Sequence, residues 1–252
     1  ALNRIQTVLH NQPEHVGALQ LAAKALTALD RPQEALSVLD KAIQVGGEDL
    51  NLYRQRVELL RLSKSPEDAL LALKELVERY PERLEFQALL AEALFSANQF
   101  ELGLDVAQAV LHAAPQLLPE DQRSVLHYQV GRNLRRSGQL DQAVAHLTAA
   151  VQDNAQNLDA WLELGQVYHE QRAHSQALRT FLQAVDLAPQ DYRPYYQAGV
   201  ALKEAKDYLK AEEMLQQAYR LAPDEVMVQR KLAAVMTLNL VHNRRIPTSL
   251  TR

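Results

Sequence analysis

Cysteine is absent from this sequence of 252 residues, and glycine occurs only eight times. Without cysteine the chain can form neither a disulfide bond nor a thiolate metal site. The glycines are scattered, so no glycine-rich loop is available to cradle a phosphate group. Long apolar runs are missing too, since charge-free stretches such as 232–241 are far shorter than the roughly 20 residues of a membrane-spanning helix. We therefore expect no phosphate-loop chemistry and no membrane insertion.

An excess of basic residues is also lacking. The 27 Lys and Arg residues are outnumbered by 31 Asp and Glu residues, which gives a net charge of −4. Nucleic-acid-binding domains usually present a basic face. Helical repeats that recognise RNA base by base need regularly placed polar pairs, and this sequence has few at the corresponding positions. The composition therefore argues against a nucleic-acid partner.

Catalytic motifs are absent as well. His169 and His174 are five residues apart across a turn, not four apart on one helix face, so they do not form a helical metal-binding pair. Serine and threonine show no nucleophile-elbow context. Acidic pairs such as Asp224 and Glu225 follow a proline at a predicted helix start, where they offset the helix dipole. The sequence predicts no catalytic residue, no cofactor and no metal site, and hence a protein that is not an enzyme.

What the chain does contain is a pattern of small and large residues that recurs every 34 residues. The first column of small residues is Ala23, Val57, Ala91, Gly131, Gly165 and Gly199. The second column is Ala35, Ala69, Gly103, Ala143, Ala177 and Ala211. The spacing between the columns leaves room for one helix to end and another to begin. Small residues at both points let two antiparallel helices approach closely.

Large apolar residues flank these columns at helical spacing. On the first helix of each unit they are Leu26, Leu60, Leu94, Leu134, Tyr168 and Leu202. On the second helix they are Leu39, Leu73, Leu147, Phe181 and Leu215. Because proline has no N–H to donate, the second helix ends at the prolines that follow it. A period of this length predicts a solenoid, in which each helix pair buries its apolar surface against its neighbours.

The pattern resembles the tetratricopeptide repeat family, which residues 158–191 match at Trp161, Gly165, Ala177 and Pro189 among other positions. The resemblance implies an all-α fold, a right-handed α-α superhelix (a TPR solenoid) of antiparallel helix pairs. We expect a single solenoid over residues 1–242 and a C-terminal tail over 243–252. The parts of the solenoid are a half-repeat 1–15, repeats 16–49, 50–83, 84–117, 124–157, 158–191 and 192–225, and a capping helix 226–242.

The third repeat departs from the pattern. Gly103 and Ala107 stand where the family prefers alanine and a bulky residue, which predicts looser packing. Six extra residues, 118–123, then precede the next repeat. Pro119 followed by two acids favours a helix start, so we expect an elongated helix from about Pro119 to Arg136.

The resemblance also implies that one face of each first helix points into the inner curve of the solenoid. Equivalent positions of successive units then form rows across a concave groove. These rows contain tyrosine and arginine, which are common binding anchors. The predicted groove residues are Phe95, Tyr128, Arg132, Arg135, Leu162, Gln166, His169, Arg193 and Tyr196.

Such a groove favours a non-catalytic scaffold or adaptor for protein–protein interaction. It would bind a peptide or helix of a partner through acidic and apolar side chains. One alternative is a self-assembling structural repeat module, a homo-oligomer formed through the terminal helices. Another is the regulatory or targeting arm of a larger enzyme or secretion component. We expect a cytoplasmic location.

Overall fold

The chain folds into helices joined by short turns, as seen in a computed structural model that describes residues 2–47, 49–62, 66–113 and 115–245. Within those residues every regular element is a helix: fourteen α-helices and one short 3-10 helix. The helices form two compact units, Ala1–Pro119 and Glu120–Arg252. The boundary falls inside the insertion 118–123, where the 34-residue period is interrupted. One solenoid over 1–242 stays a prediction.

The first unit begins with α1 (Leu2–Asn11) and continues with three helix pairs. These pairs are α2 (Val16–Ala28) with α3 (Pro32–Gly46), α4 (Leu50–Leu62) with α5 (Pro66–Arg79), and α6 (Leu84–Ser96) with α7 (Phe100–Ala113). A 3-10 turn, Pro115–Leu117, follows. Each helix from α1 to α6 packs on the next one along the chain, and each pair lies within one predicted repeat.

The second unit also contains three helix pairs, followed by a long last helix. The pairs are α8 (Glu120–Arg136) with α9 (Leu140–Asp153), α10 (Leu158–Glu170) with α11 (His174–Leu187), and α12 (Tyr192–Glu204) with α13 (Tyr208–Leu221). The last helix, α14, spans Val226–Arg245. It is longer than the predicted capping helix and takes in the first three residues of the expected tail. Residues 246–252 lie outside the described residues.

The turns between paired helices share one backbone conformation at the same position of each repeat. This position has a left-handed conformation, with φ between 56° and 78°, at Asp30, Asn98, Gly138, Arg172 and Lys206. The next N–H in each turn donates to the carbonyl five residues earlier, as from Ala173 to Tyr168 at 2.8 Å. This hydrogen bond satisfies a carbonyl at the end of the first helix. The equivalent residue of the α4–α5 turn lies outside the described residues.

Glycine in a first helix lets a large residue of its partner helix reach the backbone. A Cβ atom added at Gly131 would lie 2.6 Å from Cγ of Leu147, and one added at Gly199 would lie 2.7 Å from Cγ of Leu215. At Gly165 the neighbour is the ring of Phe181, which is only 1% exposed. A real Cβ atom does not tolerate such distances, so the close helix crossing predicted from the small-residue column is confirmed in the second unit.

The third repeat is well packed at Gly103 and Ala107, where we expected looser packing. Phe95 on α6 places its ring against Gly103 on α7, where an added Cβ atom would lie 2.9 Å from a ring carbon. Ala107, one turn later on α7, is fully buried. The expectation of looser packing is therefore wrong, because a bulky residue on the first helix occupies the space that the small residues of the second helix leave.

The insertion lengthens α8 at its start, within one residue of the predicted position. Ser124, the residue directly after the insertion, is fully buried. Its hydroxyl donates to the carbonyl of Ala150 on α9 at 2.8 Å and accepts a hydrogen bond from Nδ2 of Asn157 at 2.9 Å. Arg123 Nε also donates to Asp153 Oδ1 at 3.0 Å. The extra residues thus form part of the packed structure of this unit.

Candidate functional site

Eight of the nine predicted groove residues lie on three helices of the second unit. They are Tyr128, Arg132 and Arg135 on α8, Leu162, Gln166 and His169 on α10, and Arg193 and Tyr196 on α12. Helix α10 contacts both α8 and α12. The 34-residue period therefore brings side chains that are far apart in sequence onto adjacent helices. We call these eight residues the first-helix face.

Phe95 does not belong to this face. It lies in the first unit and is only 5% exposed, with its ring packed on Gly103. Its position in the repeat matches that of Arg135 and His169, but glycine on the partner helix gives the ring a place in the core. The prediction of Phe95 as a groove residue is corrected for this reason.

Arg135 is held by two carboxylates of the neighbouring helix. Its Nε donates to Glu163 Oε1 at 2.8 Å, and its Nη1 donates to Glu170 Oε1 at 2.6 Å. Burial acts against the charged guanidinium, but the hydrogen bonds and charges of the two acids outweigh it, so the pKa of Arg135 is raised. Arg135 therefore links α8 to α10, and its charge is already compensated within the chain.

Arg193 and His169 are paired with acids in a similar way. Arg193 Nη1 lies 2.9 Å from Asp159 Oδ1 on α10, and Nη2 lies 2.7 Å from Asp191 Oδ2. The hydrogen bonds to Asp191 are the main cause that raises the pKa of Arg193. His169 Nε2 lies 2.6 Å from Glu204 Oε2 on α12. The Arg193–Asp159 and His169–Glu204 contacts join α10 to α12. The contacts of Arg135 join α8 to α10 in the same way.

Arg132 has a different environment. Its guanidinium carbon lies 6.0 Å from the centre of the Tyr128 ring, one turn earlier on α8, at the edge of the cation–π range. In the part of the chain that the structure describes, Arg132 is the arginine of this face that pairs with no carboxylate. Burial is the main cause that raises the pKa of Tyr128, so its hydroxyl keeps its proton at neutral pH and can donate a hydrogen bond.

Three apolar or aromatic side chains form a row across the face, one from each helix. They are Tyr128, Leu162 and Tyr196, each 34 residues from the next and each half-buried. Leu162 packs on the cluster that contains Phe181, and Tyr196 packs on the cluster that contains Leu215. The inner parts of Leu162 and Tyr196 thus contribute to the core, and all three side chains keep an outer part open to a ligand.

The acidic partners of the face were missed by sequence reasoning. They are Asp159, Glu163, Glu170, Asp191 and Glu204. The spacing of Glu170 and Glu204 could have identified these two acids from the sequence. Each lies 35 residues after its partner, which is Arg135 for Glu170 and His169 for Glu204. Opposite charges separated by about one repeat are typical of contacts between successive units. Net charge alone does not show which cations are already paired.

Neither a metal site nor a membrane span is found in the described part of the chain. No three His, Asp or Glu side chains among the described residues are placed to hold a metal ion. None of the described helices combines the length and the apolar character needed to cross a bilayer.

Two family models described as tetratricopeptide repeat match the chain. One matches residues 57–117 and 128–192, and the other matches residues 192–225. Together the matches include the whole first-helix face. They leave out residues 1–56, 118–127 and 226–252.

Curated relatives with tetratricopeptide repeats are similar over most of the chain. Tetratricopeptide repeat protein 7A from Homo sapiens is 24% identical over 247 residues, which are 94% of this chain and 28% of that protein. Superkiller protein 3 from Schizosaccharomyces pombe is 24% identical over 195 residues, which are 76% of this chain and 14% of that protein. The chain thus spans less than a third of the length of either relative.

Solved structures share the fold. A chain in the crystal structure of the APC/C hetero-tetramer Cut9–Hcn1 superposes with a TM-score of 0.71 at 14% identity, over 93% of this chain and 46% of that one. The crystal structure of MamA superposes with a TM-score of 0.59 at 17% identity, over 68% of this chain and 96% of that one. The predicted fold class, an all-α solenoid of antiparallel helix pairs, is confirmed.

Proposed function

The chain belongs to the tetratricopeptide repeat family, and from this premise we propose that it is a non-catalytic scaffold that binds a peptide or helix of a partner protein across the first-helix face. Members of this family generally act as protein-interaction scaffolds and not as enzymes. The observation that supports this use of the face is the row of Tyr128, Leu162 and Tyr196, which offers partly open aromatic and apolar surface on three adjacent helices.

The chemistry of the partner follows from the charges on the face. Arg135 and Arg193 are each held by two carboxylates, so an acidic ligand would have to displace those acids to reach them. Arg132 contacts Tyr128, one turn earlier on α8, and among the described residues it is paired with no carboxylate. We therefore favour a segment with apolar side chains along the row and one acidic side chain opposite Arg132. Because the charge contribution is small, salt should weaken binding only moderately.

The proposal is tested with peptides selected from a random display library on the intact chain. Affinities of the selected peptides are then measured for the wild type and for Tyr128→Ala with Arg132→Ala. Truncation of two central anchors should weaken binding at least tenfold. The matched control is Tyr219→Ala with Arg220→Ala on α13, where both side chains are exposed and outside the face. Equal affinity of both double variants for the peptides would rule the face out as the binding site.

The exposed surface of α14 supports self-association as a second candidate function. Val228 and Val235 of this helix are fully buried, whereas Met227 is 60% exposed and Leu240 is 62% exposed. Apolar area on the open side of a helix is suited to contact with another protein surface. A sizing experiment over a dilution series distinguishes the two candidates, since a constant monomer mass would contradict self-association and leave the peptide proposal intact.

A role within a larger assembly is a third candidate. The chain matches less than a third of the length of its curated relatives, which favours a regulatory or targeting arm of a larger protein. This candidate and the cytoplasmic location both stay predictions.

A further inference from the structure

Two histidines face each other between α8 and α9. The Nδ1 atom of His127 lies 3.0 Å from the Nδ1 atom of His146, and the ring centres are 5.2 Å apart. This nitrogen–nitrogen distance is that of a hydrogen bond, so one Nδ1 carries a hydrogen and the other accepts it with its lone pair. Only one hydrogen fits between the two atoms. The contact therefore exists only while at least one of the rings is neutral.

Such a pair is not a general feature of the repeat. At the equivalent positions of the next two units the residues are Trp161 with Thr180, and Tyr195 with Met214. The indole Nε1 of Trp161 donates elsewhere, to the carbonyl of Ala155 at 3.0 Å. In these units the position holds a large aromatic side chain opposite a residue that does not titrate. The two imidazoles in repeat 124–157 replace that contact with one that depends on protons.

Two charged groups near the pair lie on its own helices. Arg123 lies one turn before His127 on α8, and Asp153 lies on α9. These two bind each other, with Nε 3.0 Å from Oδ1. Burial first, and then the charge of His146, lower the pKa of His127 to about 4, although Asp153 acts in the opposite direction.

The acids of α10, which also packs on α8 and α9, act on a neighbouring group. Asp159 and Glu163 raise the pKa of Tyr128, the residue after His127, although burial of the phenol is the larger cause. Asp159 is also bound to Arg193, and Glu163 is bound to Arg135. The proton state of His127 is therefore set mainly by its burial and by the charge of His146, with smaller and opposed effects of Asp153 and Arg123.

We propose that His127 and His146 form a one-proton latch, which holds α8 against α9 at neutral pH and releases when a second proton enters the pair in acidic solution. The first added proton binds the free Nε2 of the donor ring and leaves the N–H···N hydrogen bond in place. The second binds the lone pair of the accepting Nδ1, so both rings are then cationic and the hydrogen bond is lost. Two cationic rings then face each other at a distance that their repulsion does not favour. The rings separate, and the contact between α8 and α9 is weakened.

Release of the latch also regulates the first-helix face, and this step rests on the proposed function. His127 is followed directly by Tyr128, and Arg132 lies on the same helix. A change in the packing of α8 therefore moves two groups of the proposed binding surface. Partner binding should be weaker at acidic pH, even when the acidic side chain of the partner stays ionised.

The sign of the pH dependence follows from proton linkage. Because the pKa of His127 is lowered from 6.5 to about 4 in the folded chain, the open or unfolded chain binds more protons between these values. The stabilising effect is complete above pH 6.5, decreases as the pH falls, and is fully lost below about pH 4. Since the rings are partly exposed, we expect roughly a tenfold increase in the opening equilibrium of α8 and α9 between pH 7 and pH 5.

The experiment compares amide hydrogen exchange at pH 7 and pH 5, corrected for intrinsic exchange rates, in three proteins. These are the wild type, the double variant His127→Tyr with His146→Met, which introduces the residues of the Tyr195–Met214 position, and His112→Gln, which changes an exposed histidine of the first unit. Opening of α8 and α9 should increase about tenfold in the wild type and in His112→Gln, but not in the double variant. An equal increase in all three proteins would overturn the latch.

A measurement on the wild type alone covers the case in which the double variant does not fold. Long-range nitrogen–proton NMR reports the tautomer of each imidazole. At pH 7 we expect a hydrogen on Nδ1 of one ring and on Nε2 of its partner. Hydrogens on Nε2 of both rings, with independent titration near the ordinary value of about 6.5, would exclude the latch.

The proposed effect of the latch on peptide binding is tested by a separate measurement. This measurement distinguishes an error in the proposed regulation from an error in the proposed function. A display-selected peptide is titrated at pH 7 and pH 5 against the wild type and the double variant. Loss of affinity at pH 5 in the wild type only supports the regulation. Equal affinity at both pH values overturns the regulation, whereas no binding at either pH overturns the proposed function. Neither result changes the exchange and NMR evidence for the latch.

Discussion

The guanidinium of Arg135 on α8 donates a hydrogen bond to the carboxylate of Glu170 on α10, with Nη1 and Oε1 2.6 Å apart. The two residues are separated by 35 positions, one more than the repeat length. His169 and Glu204 repeat this relationship between α10 and α12, at 2.6 Å. The first-helix face is therefore cross-linked by side-chain hydrogen bonds to acids between successive repeats. A ligand would meet a surface whose cations are mostly neutralised.

Replacement of Arg135 by alanine should destabilise the second unit by about 1–2 kcal/mol. The change leaves Glu163, whose side chain is only 16% exposed, without its hydrogen-bond donor. Denaturant unfolding measures the effect. Arg220→Ala on the exposed side of α13 is the control and should lie within about 0.5 kcal/mol of the wild type. Equal stability of the two variants would show that the ion pairs do not hold the helices together.

Gly165→Ala should destabilise the protein by about 1–3 kcal/mol. The added methyl group would overlap the ring of Phe181, which is only 1% exposed. Gly165→Ala combined with Phe181→Leu introduces the residues found at the equivalent positions, Ala23 and Leu39. The double variant should therefore be more stable than the sum of the two single changes predicts. Strict additivity in a double-mutant cycle would contradict the packing described for this helix crossing.

Arg172→Gly should stabilise the protein by about 0.5–1 kcal/mol. Arg172 has a φ of 59° at an exposed turn, a conformation that costs free energy for a residue with a Cβ atom. The control is Arg220→Gly near the end of α13, where glycine should cost about 1 kcal/mol. Thermal unfolding of both variants checks the prediction. A lower midpoint for both would show that the side chain of Arg172 contributes more than the backbone strain costs.

Ser124→Ala should destabilise the second unit by about 1–3 kcal/mol. The buried hydroxyl joins the carbonyl of Ala150 to the amide of Asn157, and its loss leaves both groups without this hydrogen bond. Ser175→Ala on the exposed surface of α11 is the matched control and should be nearly neutral. Hydrogen exchange of α8 measures the effect locally, and unchanged protection there would mean that the hydroxyl is dispensable.

The positions of the helices follow from the sequence because the pattern of small and large residues is local and periodic. The columns at Gly131, Gly165 and Gly199 place the helix crossings, and the same period identifies eight residues of the face in their correct register. The left-handed position in the turns was harder to identify from the sequence, because it is not reserved for glycine. Arg172 and Lys206 occupy it as well as Gly138, because the hydrogen bond that closes the turn imposes the conformation in spite of its cost for a residue with a Cβ atom.

What the sequence determined by itself is the repeat, because each helix pair is specified by residues within 34 positions and by the same kind of neighbour on either side. Tertiary structure alone decided the state of individual side chains. Phe95 is in the core because Gly103 lies across from it, Arg135 is neutralised because two acids of α10 reach it, and His127 meets His146 because their helices are paired. Burial and charge pairing depend on distances in space, and a single sequence does not contain those distances.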